Sequence, residues 1–223
     1  MDTLTKLALG LMGHLTPKPP SGDSQPVVAL PPAEMAGGLP LMEALRMRHS
    51  ERNFLPRALE LQMLSNLLWA ACGINRSDVG GRTAPSAMNA QEVDVYLALP
   101  QGLYRYDPQH HGLQRTVEKD VRRATGYQDF VDDAPLDLIF VANHARMKLV
   151  PASKRETYAS VAVGAMVQNI ALYCASAGLV GVVRAWFDRS TLSQAMGLGP
   201  DEQILLTQTV GFPGADIPAA TAD

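Results

Sequence analysis

The sequence predicts an α+β protein whose central sheet is mostly antiparallel and is flanked by helices. Its 223 residues, 47% apolar and 18% charged, are enough for one well-filled domain of ordinary size. Segments with the alternation typical of strands are interspersed with segments of helical periodicity. They follow one another without the regular strand–helix–strand rhythm of a parallel sheet, which favours antiparallel pairing.

A proline-rich arm, residues 1–39, is predicted to precede the domain. Residues 16–39 are rich in proline and contain Gly22, Gly37 and Gly38, so they favour an extended segment over a packed element. Such an arm either extends freely or lies across a neighbouring subunit, and the sequence leaves both open. Because glycines interrupt the apolar run at residues 7–15, it is a weak export signal, and the cytoplasm is the favoured location.

The domain is predicted to span residues 40–213, and its first half contains two helices and then two strands. Leucines recur every three or four residues in the helical segments, whereas the strand segments alternate and are rich in β-forming residues. In order, we predict a helix that opens at Leu41, a core helix over 60–73, a loop over 74–89, a strand over 92–99 and a hairpin strand over 102–107.

The second half is predicted to alternate helices with strands and to end in a short tail. In order, we predict a charged surface helix over 113–125, a central strand over 136–143, a long helix over 158–177, a strand over 180–187, a short helix over 192–197, a strand over 204–211 and a tail over 214–223. The long helix is apolar almost all round, which is typical of a helix buried inside a domain or between subunits.

Two arginines and a histidine flank a serine at the end of the first helix. Arg48 and Arg52 can give forked, charge-assisted hydrogen bonds to a phosphate, and Ser50 adds a neutral donor. The alternative is a solvated helix end whose cations complement the helix dipole. The segment by itself leaves both interpretations open.

Two later segments have binding chemistry as well. Residues 80–91 contain Asn89 and Gln91, whose amides offer both a donor and an acceptor to a planar heterocycle, although an ordinary polar turn has the same composition. Residues 178–188 contain two glycines that let the backbone approach a flat ring closely. The alternative there is a helix cap at Gly178 followed by a core strand.

Several classes of function find no support in the sequence. The net charge of −3 gives no electrostatic case for nucleic acid or an anionic membrane. There is no dinucleotide fingerprint, phosphate-binding P-loop, nucleophile elbow or zinc spacing. Cys72 and Cys174 are predicted to be buried free thiols, with a disulfide as the alternative, and His110–His111 to be a solvated pair. Binding chemistry without an acid–base or nucleophile set indicates that a cofactor performs the reaction.

Three motifs in this order resemble those of the nitroreductase family of FMN enzymes. They are Arg-His-Ser-x-Arg at 48–52, Pro-Ser-x-x-Asn-x-Gln at 85–91, and Gly-Leu followed by Phe-Asp at 178–188 after a long Ala/Gly-rich helix. The resemblance extends over about residues 41–213. The hairpin sequence Gly-Leu-Tyr-Arg-Tyr-Asp at 102–107 and the closing Val-Gly-Phe-Pro at 210–213 resemble the branch that contains thiazole/oxazole-forming dehydrogenases.

The resemblance implies a homodimer with a long central interface helix and an FMN site shared between two subunits. It assigns the phosphate, the ribityl chain and the polar ring edge to Arg48, His49, Ser50 and Arg52. Contacts from the partner subunit would come from Pro85, Ser86, Ala87 and Asn89. The ring would lie along Val183, Arg184, Ala185 and Trp186, with Gln128 at its pyrimidine edge.

The activity implied is ping-pong transfer of a hydride or electrons from NAD(P)H through FMN to a small organic acceptor such as a nitro compound or quinone. The chemistry takes place on the flavin, so neither a catalytic side chain nor a metal is expected. The alternatives are a flavin-dependent dehydrogenase of a peptide or small molecule, a non-catalytic flavin-binding protein, and an interaction protein in which the arginines merely cap a helix.

Overall fold

An antiparallel sheet of eight strands forms the centre of the protein. The structure is a computed structural model and describes residues 28–214. The strands of this sheet are β1 (Val28–Ala29), β2 (Phe54–Leu55), β5 (Val93–Leu99), β6 (Gly102–Asp107), β7 (Gly112–Val117), β8 (Leu136–Asn143), β9 (Val180–Arg184) and β10 (Glu202–Pro213). Their spatial order is β1-β7-β6-β5-β8-β10-β2, and β9 also pairs with β10. Two further strands, β3 (Ile74–Arg76) and β4 (Gly81–Arg82), form a separate small hairpin.

Helices cover both faces of this sheet. They are α1 (Leu41–Met47), α2 (Leu61–Cys72), α3 (Phe130–Asp133), α4 (Ala152–Ser176) and α5 (Arg189–Met196), with short 3-10 turns at Ala87–Asn89, Arg122–Thr125 and His144–Met147. The larger core lies between the sheet and α2 and α4, and a smaller core on the opposite face includes Phe187 and Leu192. The predicted α+β class with a mostly antiparallel sheet is confirmed.

The long helix α4 faces the larger core with one side. Its buried residues recur at helical spacing, as in Ala159, Val163, Met166 and Ile170, so they form one continuous stripe. By length and composition alone, α4 is the one helix among residues 28–214 that could cross a membrane. Core helices of globular proteins meet the same test, and this helix packs against α1, α2 and β9.

The predicted surface helix over 113–125 is wrong. Residues 112–117 form strand β7, which pairs with β6 and with β1, and only Arg122–Thr125 form a 3-10 turn. The mixed charges that suggested a helix lie on a strand near the edge of the sheet, where polar side chains are tolerated. Tertiary pairing therefore overrode the local pattern. Helix α4 also begins earlier than predicted, at Ala152, directly after Pro151.

The last part of the predicted arm, residues 28–39, lies against the domain. Val28 and Ala29 pair with β7, the Leu30 side chain is buried, and the Glu34 N–H donates to Asn66 Oδ1 at 2.9 Å. These contacts favour including residues 28–39 in the domain, whereas residues 1–27 of the arm and 215–223 of the tail lie outside the described residues. The domain limits of 40–213 otherwise stay a prediction.

His111 joins residues 28–39 to the domain by hydrogen bonds. The prediction of a solvated histidine pair is therefore wrong for His111. Its Nε2 lies 3.1 Å from Pro31 O and 2.7 Å from Ser65 Oγ, and its Nδ1 lies 2.8 Å from the Tyr106 hydroxyl. Because Pro31 O only accepts, the neutral ring donates from Nε2–H and accepts the Tyr106 O–H at Nδ1. A second proton on Nδ1 would face that hydroxyl and deprive it of its acceptor.

We expect a His111→Asn variant to be less stable than the wild type at pH 7.5 by about 1–3 kcal/mol, the value of two lost hydrogen bonds. Asparagine tolerates the positive φ of 46° at this position. Burial lowers the pKa of His111 below its ordinary value of 6.5. The contribution of His111 to the free energy of unfolding is therefore complete above pH 6.5, and it is lost as the pH falls and the unfolded chain binds a proton more readily. The titratable neighbours are Tyr106 and the pair Asp107–His110.

Urea unfolding of both proteins at pH 7.5 and pH 5 measures this effect. The difference in unfolding free energy between them should shrink at pH 5. An equal difference at both pH values would show that His111 does not act through its titration.

Candidate functional site

A cleft of about 390 Å³ lies where the C-terminal end of α4 meets β9 and the segment after α1. Its wall is mainly apolar and contains small residues of α4 and the glycines around β9. The lining residues are Leu39, Met47, Arg48, His49, Ala171, Cys174, Ala175, Ser176, Gly178, Leu179, Val180, Gly181 and Pro213. Two cationic or potentially cationic side chains, Arg48 and His49, are thus placed beside an apolar wall.

The arginine segment, residues 48–52, runs beside β9 because backbone contacts hold it there. Helix α1 ends at Met47, after which Ser50 forms a parallel bridge with Gly181 and the Glu51 N–H donates to Gly181 O at 3.2 Å. On the other side of β9, a Cβ on Gly181 would lie 2.7 Å from the Thr209 carbonyl oxygen of β10, so the close approach of these two strands requires glycine. The segment and the strand therefore form one backbone unit at the cleft.

The charges of the arginine segment are arranged to leave Arg48 available. Its side chain forms no hydrogen bond or ion pair with any residue from 28 to 214, whereas the neighbouring Arg46 is bound by Glu43 at 3.0 Å. Glu51 Oε1 accepts the N–H groups of Arg52 and Asn53 at 2.6 and 2.7 Å. The Asn53 N–H is the main cause that lowers the pKa of Glu51, so this carboxylate stays ionised and turned toward its own backbone.

His49 is oriented by its own backbone. Its Nδ1 lies 2.9 Å from Met47 O, which only accepts, so Nδ1 is the protonated nitrogen. The other nitrogen, Nε2, lies 4.0 Å from Glu51 Oε2. Ser50 and Arg52 are exposed, and neither lines the cleft. Of the four predicted phosphate-binding residues, the structure therefore brings Arg48 and His49 to the cleft and Ser50 to its edge.

Strand β9 directs successive side chains to opposite faces of the sheet, as the alternation of a strand requires. Val183 is exposed, whereas Arg184 is buried and donates to Thr125 O at 2.7 Å. The Arg184 side chain therefore does not line the cleft. Ala185 and Trp186 are exposed after the strand ends, and Trp186 meets Tyr127 edge to face with ring centroids 5.7 Å apart.

The predicted amide loop, residues 80–91, is held together from within. The Ser86 hydroxyl donates to Glu92 Oε2 at 2.9 Å and accepts the Gln91 N–H at 2.7 Å. The Gln91 amide binds Gly80 O, Asn89 Oδ1 and Arg82 Nε. None of Pro85, Ser86, Ala87 and Asn89 lines the cleft of the same chain. The structure of one subunit therefore leaves this loop apart from the arginine segment.

Gln128 lies beside Gly126, and its side-chain oxygen is buried without a hydrogen-bond partner among the described residues. It does not line the cleft. Sequence reasoning also missed most of the residues that line the cleft, among them Leu39, Cys174 and Ser176. The Ser176 hydroxyl accepts the Leu39 N–H at 2.7 Å and so joins the arm to α4. No local pattern could have revealed this contact, because it joins residues far apart in the chain.

Both cysteines are free and buried, as predicted. Burial raises the pKa of Cys72 to about 11 and that of Cys174 to about 12, so both thiols stay protonated at neutral pH. Within residues 28–214, no group of three or more His, Cys, Asp or Glu side chains is placed to hold a metal ion.

The fold and the cleft define an α+β protein in which Arg48 and His49 line an apolar cleft beside an antiparallel sheet. The chain belongs to the nitroreductase family, whose family model matches residues 45–212, and is therefore an oxidoreductase. A curated protein of Methanocaldococcus jannaschii, provisionally named a nitroreductase, is 31% identical over 159 residues, which cover 66% of this chain and 80% of that protein.

Solved structures show the same relationship. A protein of Ralstonia eutropha JMP134, also provisionally named a nitroreductase, is 52% identical, with a TM-score of 0.82 and coverage of 90% of this chain and 96% of the other. The NADPH:FMN oxidoreductase of Vibrio harveyi, solved with NAD+, shares 18% identity and a TM-score of 0.59, with coverage of 82% and 72%. At that identity, the second likeness concerns the fold alone.

Proposed function

We propose that the protein is an FMN-dependent oxidoreductase that accepts electrons from NAD(P)H and passes them to a small organic acceptor, such as a nitro compound or quinone. The observation that carries this proposal is the Arg48 side chain, which has no partner among the described residues and lines an apolar cleft beside β9. An unpaired guanidinium at that place suits the phosphate of a flavin nucleotide.

The residues at the cleft fit FMN in both of its halves. The Arg48 guanidinium suits the phosphate and His49 lies beside it, while Ser50 and Arg52 follow along the same segment toward the ribityl chain. The apolar wall, which includes small α4 residues with Val180 and Gly181 of β9, suits a flat, largely apolar ring, and the chain continues from this wall into residues 183–186. When bound, FMN would supply the hydride and electron transfer that no side chain here can perform.

The protein's own contribution would be binding, orientation and exclusion of water. Residues 48–52 would bind the anionic end of FMN. The hydrogen bond from the Glu51 N–H to Gly181 O fixes the spacing between this segment and β9. The N–H groups of residues 183–186 are candidates to stabilise charge on the ring, and Arg52 is our candidate for the cation near its polar edge. No described side chain needs to act as an acid or base.

Mixing the purified apoprotein with FMN tests the proposal directly. We expect a yellow protein whose flavin absorbance bleaches rapidly on addition of NADPH or NADH without oxygen, and returns when a quinone or nitro compound is added. A chain that binds no FMN would contradict the proposal. A yellow protein that neither nucleotide reduces would favour the non-catalytic flavin-binding alternative.

We also propose that the protein is a homodimer whose partner subunit completes each site with its loop at residues 80–91. The outer side of α4 and helix α1 expose apolar residues, including Leu41, Met42 and Val161. Exposed apolar patches of this kind are typical of subunit interfaces. The loop residues Pro85, Ser86, Ala87 and Asn89 do not reach the cleft of their own chain, as a shared site requires.

A Val161→Glu variant is expected to shift the protein toward the monomer and to weaken FMN binding at least 10-fold, because the charge would be buried at the interface. Sedimentation velocity measures the first effect and flavin titration the second. Ser190→Glu on α5, also exposed but on the opposite side of the sheet, is the matched control. A wild-type monomer that binds FMN fully would exclude the shared site.

The resemblance to thiazole/oxazole-forming dehydrogenases gives the runner-up activity, a dehydrogenase of a modified peptide or amine. Part of that resemblance lies in β6, which β5, β8 and β10 separate from β9. The hairpin therefore contributes nothing to the cleft, and we favour the reductase. We propose a cytoplasmic location, which two buried free thiols suit.

A further inference from the structure

A buried ion pair lies under the strand that would carry the flavin ring. Arg184 of β9 and Asp137 of β8 bind each other across β10, on the face of the sheet opposite the cleft. Both side chains are almost completely buried, with exposures of 3% and 0%. Neither side chain lines the cleft or has a part in the proposed electron transfer.

Such a pair is costly to the fold. Burial raises the pKa of Asp137 to about 6 and lowers that of Arg184, although their opposite charges act the other way. Asp137 Oδ2 and Arg184 Nε have no hydrogen-bond partner among the described residues. An apolar pair of similar volume would avoid these costs, so stability alone is a poor reason to keep the ion pair.

The guanidinium of Arg184 joins two separate segments. Its Nη1 donates to Thr125 O at 2.7 Å and its Nη2 to Thr125 Oγ1 at 3.1 Å, which ties the turn at residues 125–128 to β9. A Cβ at Gly126 would overlap with Nη1, so the turn lies directly over the guanidinium. Arg184 therefore holds the end of β9 that leads to Trp186 and the turn that carries Tyr127 and Gln128.

Asp137 sets the position of this guanidinium. Its Oδ1 binds Arg184 and also accepts the Thr209 hydroxyl at 2.5 Å, while Thr207 donates to the same Thr125 carbonyl at 3.0 Å. Asp137 lies on a central strand that is buried on both sides. Through the ion pair, the rigid interior of the sheet thus restrains the end of β9 and the turn at residues 125–128.

We infer that Arg184 and Asp137 are positioning residues. They hold residues 183–186 and the turn 125–128 at fixed positions relative to each other, so that both can face the flavin ring and the acceptor. This inference rests on the proposed function, because it assigns those segments to the ring. It gives Arg184 a role different from the direct cofactor contact that the family resemblance implies.

The test uses the full-length double variant Arg184→Met/Asp137→Leu, which removes both charges together and is expected to fold. Amide hydrogen exchange on the FMN-free protein should accelerate at least 10-fold at residues 183–186 and 126–128, but not in β5 or β8. With FMN, kcat for NADPH oxidation should fall at least 10-fold with little change in KM. Arg184→Lys keeps the charge but loses the forked pair of hydrogen bonds to Thr125. Its exchange rates and its kcat should therefore lie between those of the wild type and those of the double variant.

The control is Arg115→Met/Glu118→Leu, an ion pair at the end of β7, which β6, β5, β8 and β10 separate from β9. Unchanged exchange and unchanged kcat in the stable Arg184/Asp137 double variant would overturn the inference. A wild-type protein that binds no FMN would instead overturn the proposed function. In that case, the exchange rates of the FMN-free proteins still decide whether the pair orders the two segments.

Discussion

An Arg48→Ala variant is expected to lose most of its affinity for FMN. The wild-type guanidinium can form two charge-assisted hydrogen bonds to a phosphate, each worth about 1.5–3 kcal/mol. Their loss corresponds to a Kd that is about 100-fold higher or more. Because the Arg48 side chain forms no hydrogen bond or ion pair with any residue from 28 to 214, its removal should leave the unfolding free energy nearly unchanged.

Fluorescence titration with FMN and with riboflavin measures this effect. Riboflavin lacks the phosphate, so the variant and the wild type should bind it equally. The matched control is Arg46→Ala, two residues earlier on α1, where the side chain pairs with Glu43 instead of lining the cleft. Wild-type FMN affinity in Arg48→Ala would show that the phosphate lies elsewhere.

The second large effect concerns stability, and we expect it from the single variant Arg184→Met. Removing one partner leaves the Asp137 carboxylate buried and uncompensated, a change that costs about 3–5 kcal/mol in comparable buried pairs. For a domain of this size, the melting temperature should fall by roughly 10 °C. Thermal unfolding followed by circular dichroism provides the measurement.

The double variant Arg184→Met/Asp137→Leu is expected to recover most of that loss, since it buries two apolar side chains instead of a lone charge. The coupling energy between the two sites follows from the four melting curves. If Arg184→Met alone were as stable as the wild type, the pair would not be a closed, buried interaction, and its positioning role would lose its basis.

Local patterns of the sequence determined most of the helices and strands. The alternation in β5 and the apolar run in β8 predicted both strands to within a residue, because a buried strand needs apolar side chains whatever its partners are. The predicted core helix over 60–73 matches α2 for the same reason. β7 was missed, since its strand conformation comes from pairing with β6 and β1, and pairing partners leave no local pattern.

For the candidate site too, the sequence determined some features and the tertiary structure the others. Residue chemistry and a family resemblance were enough to select the Arg48 segment, because two arginines, a histidine and a serine within five residues are visible in a linear sequence. What only the tertiary structure decided is where each side chain points. Arg184 stands in the predicted ring-binding segment, yet the pleat of β9 turns its guanidinium away from the cleft to Asp137, 47 residues earlier in the chain. A sequence states which charges exist, whereas only the folded sheet determines which of them meet.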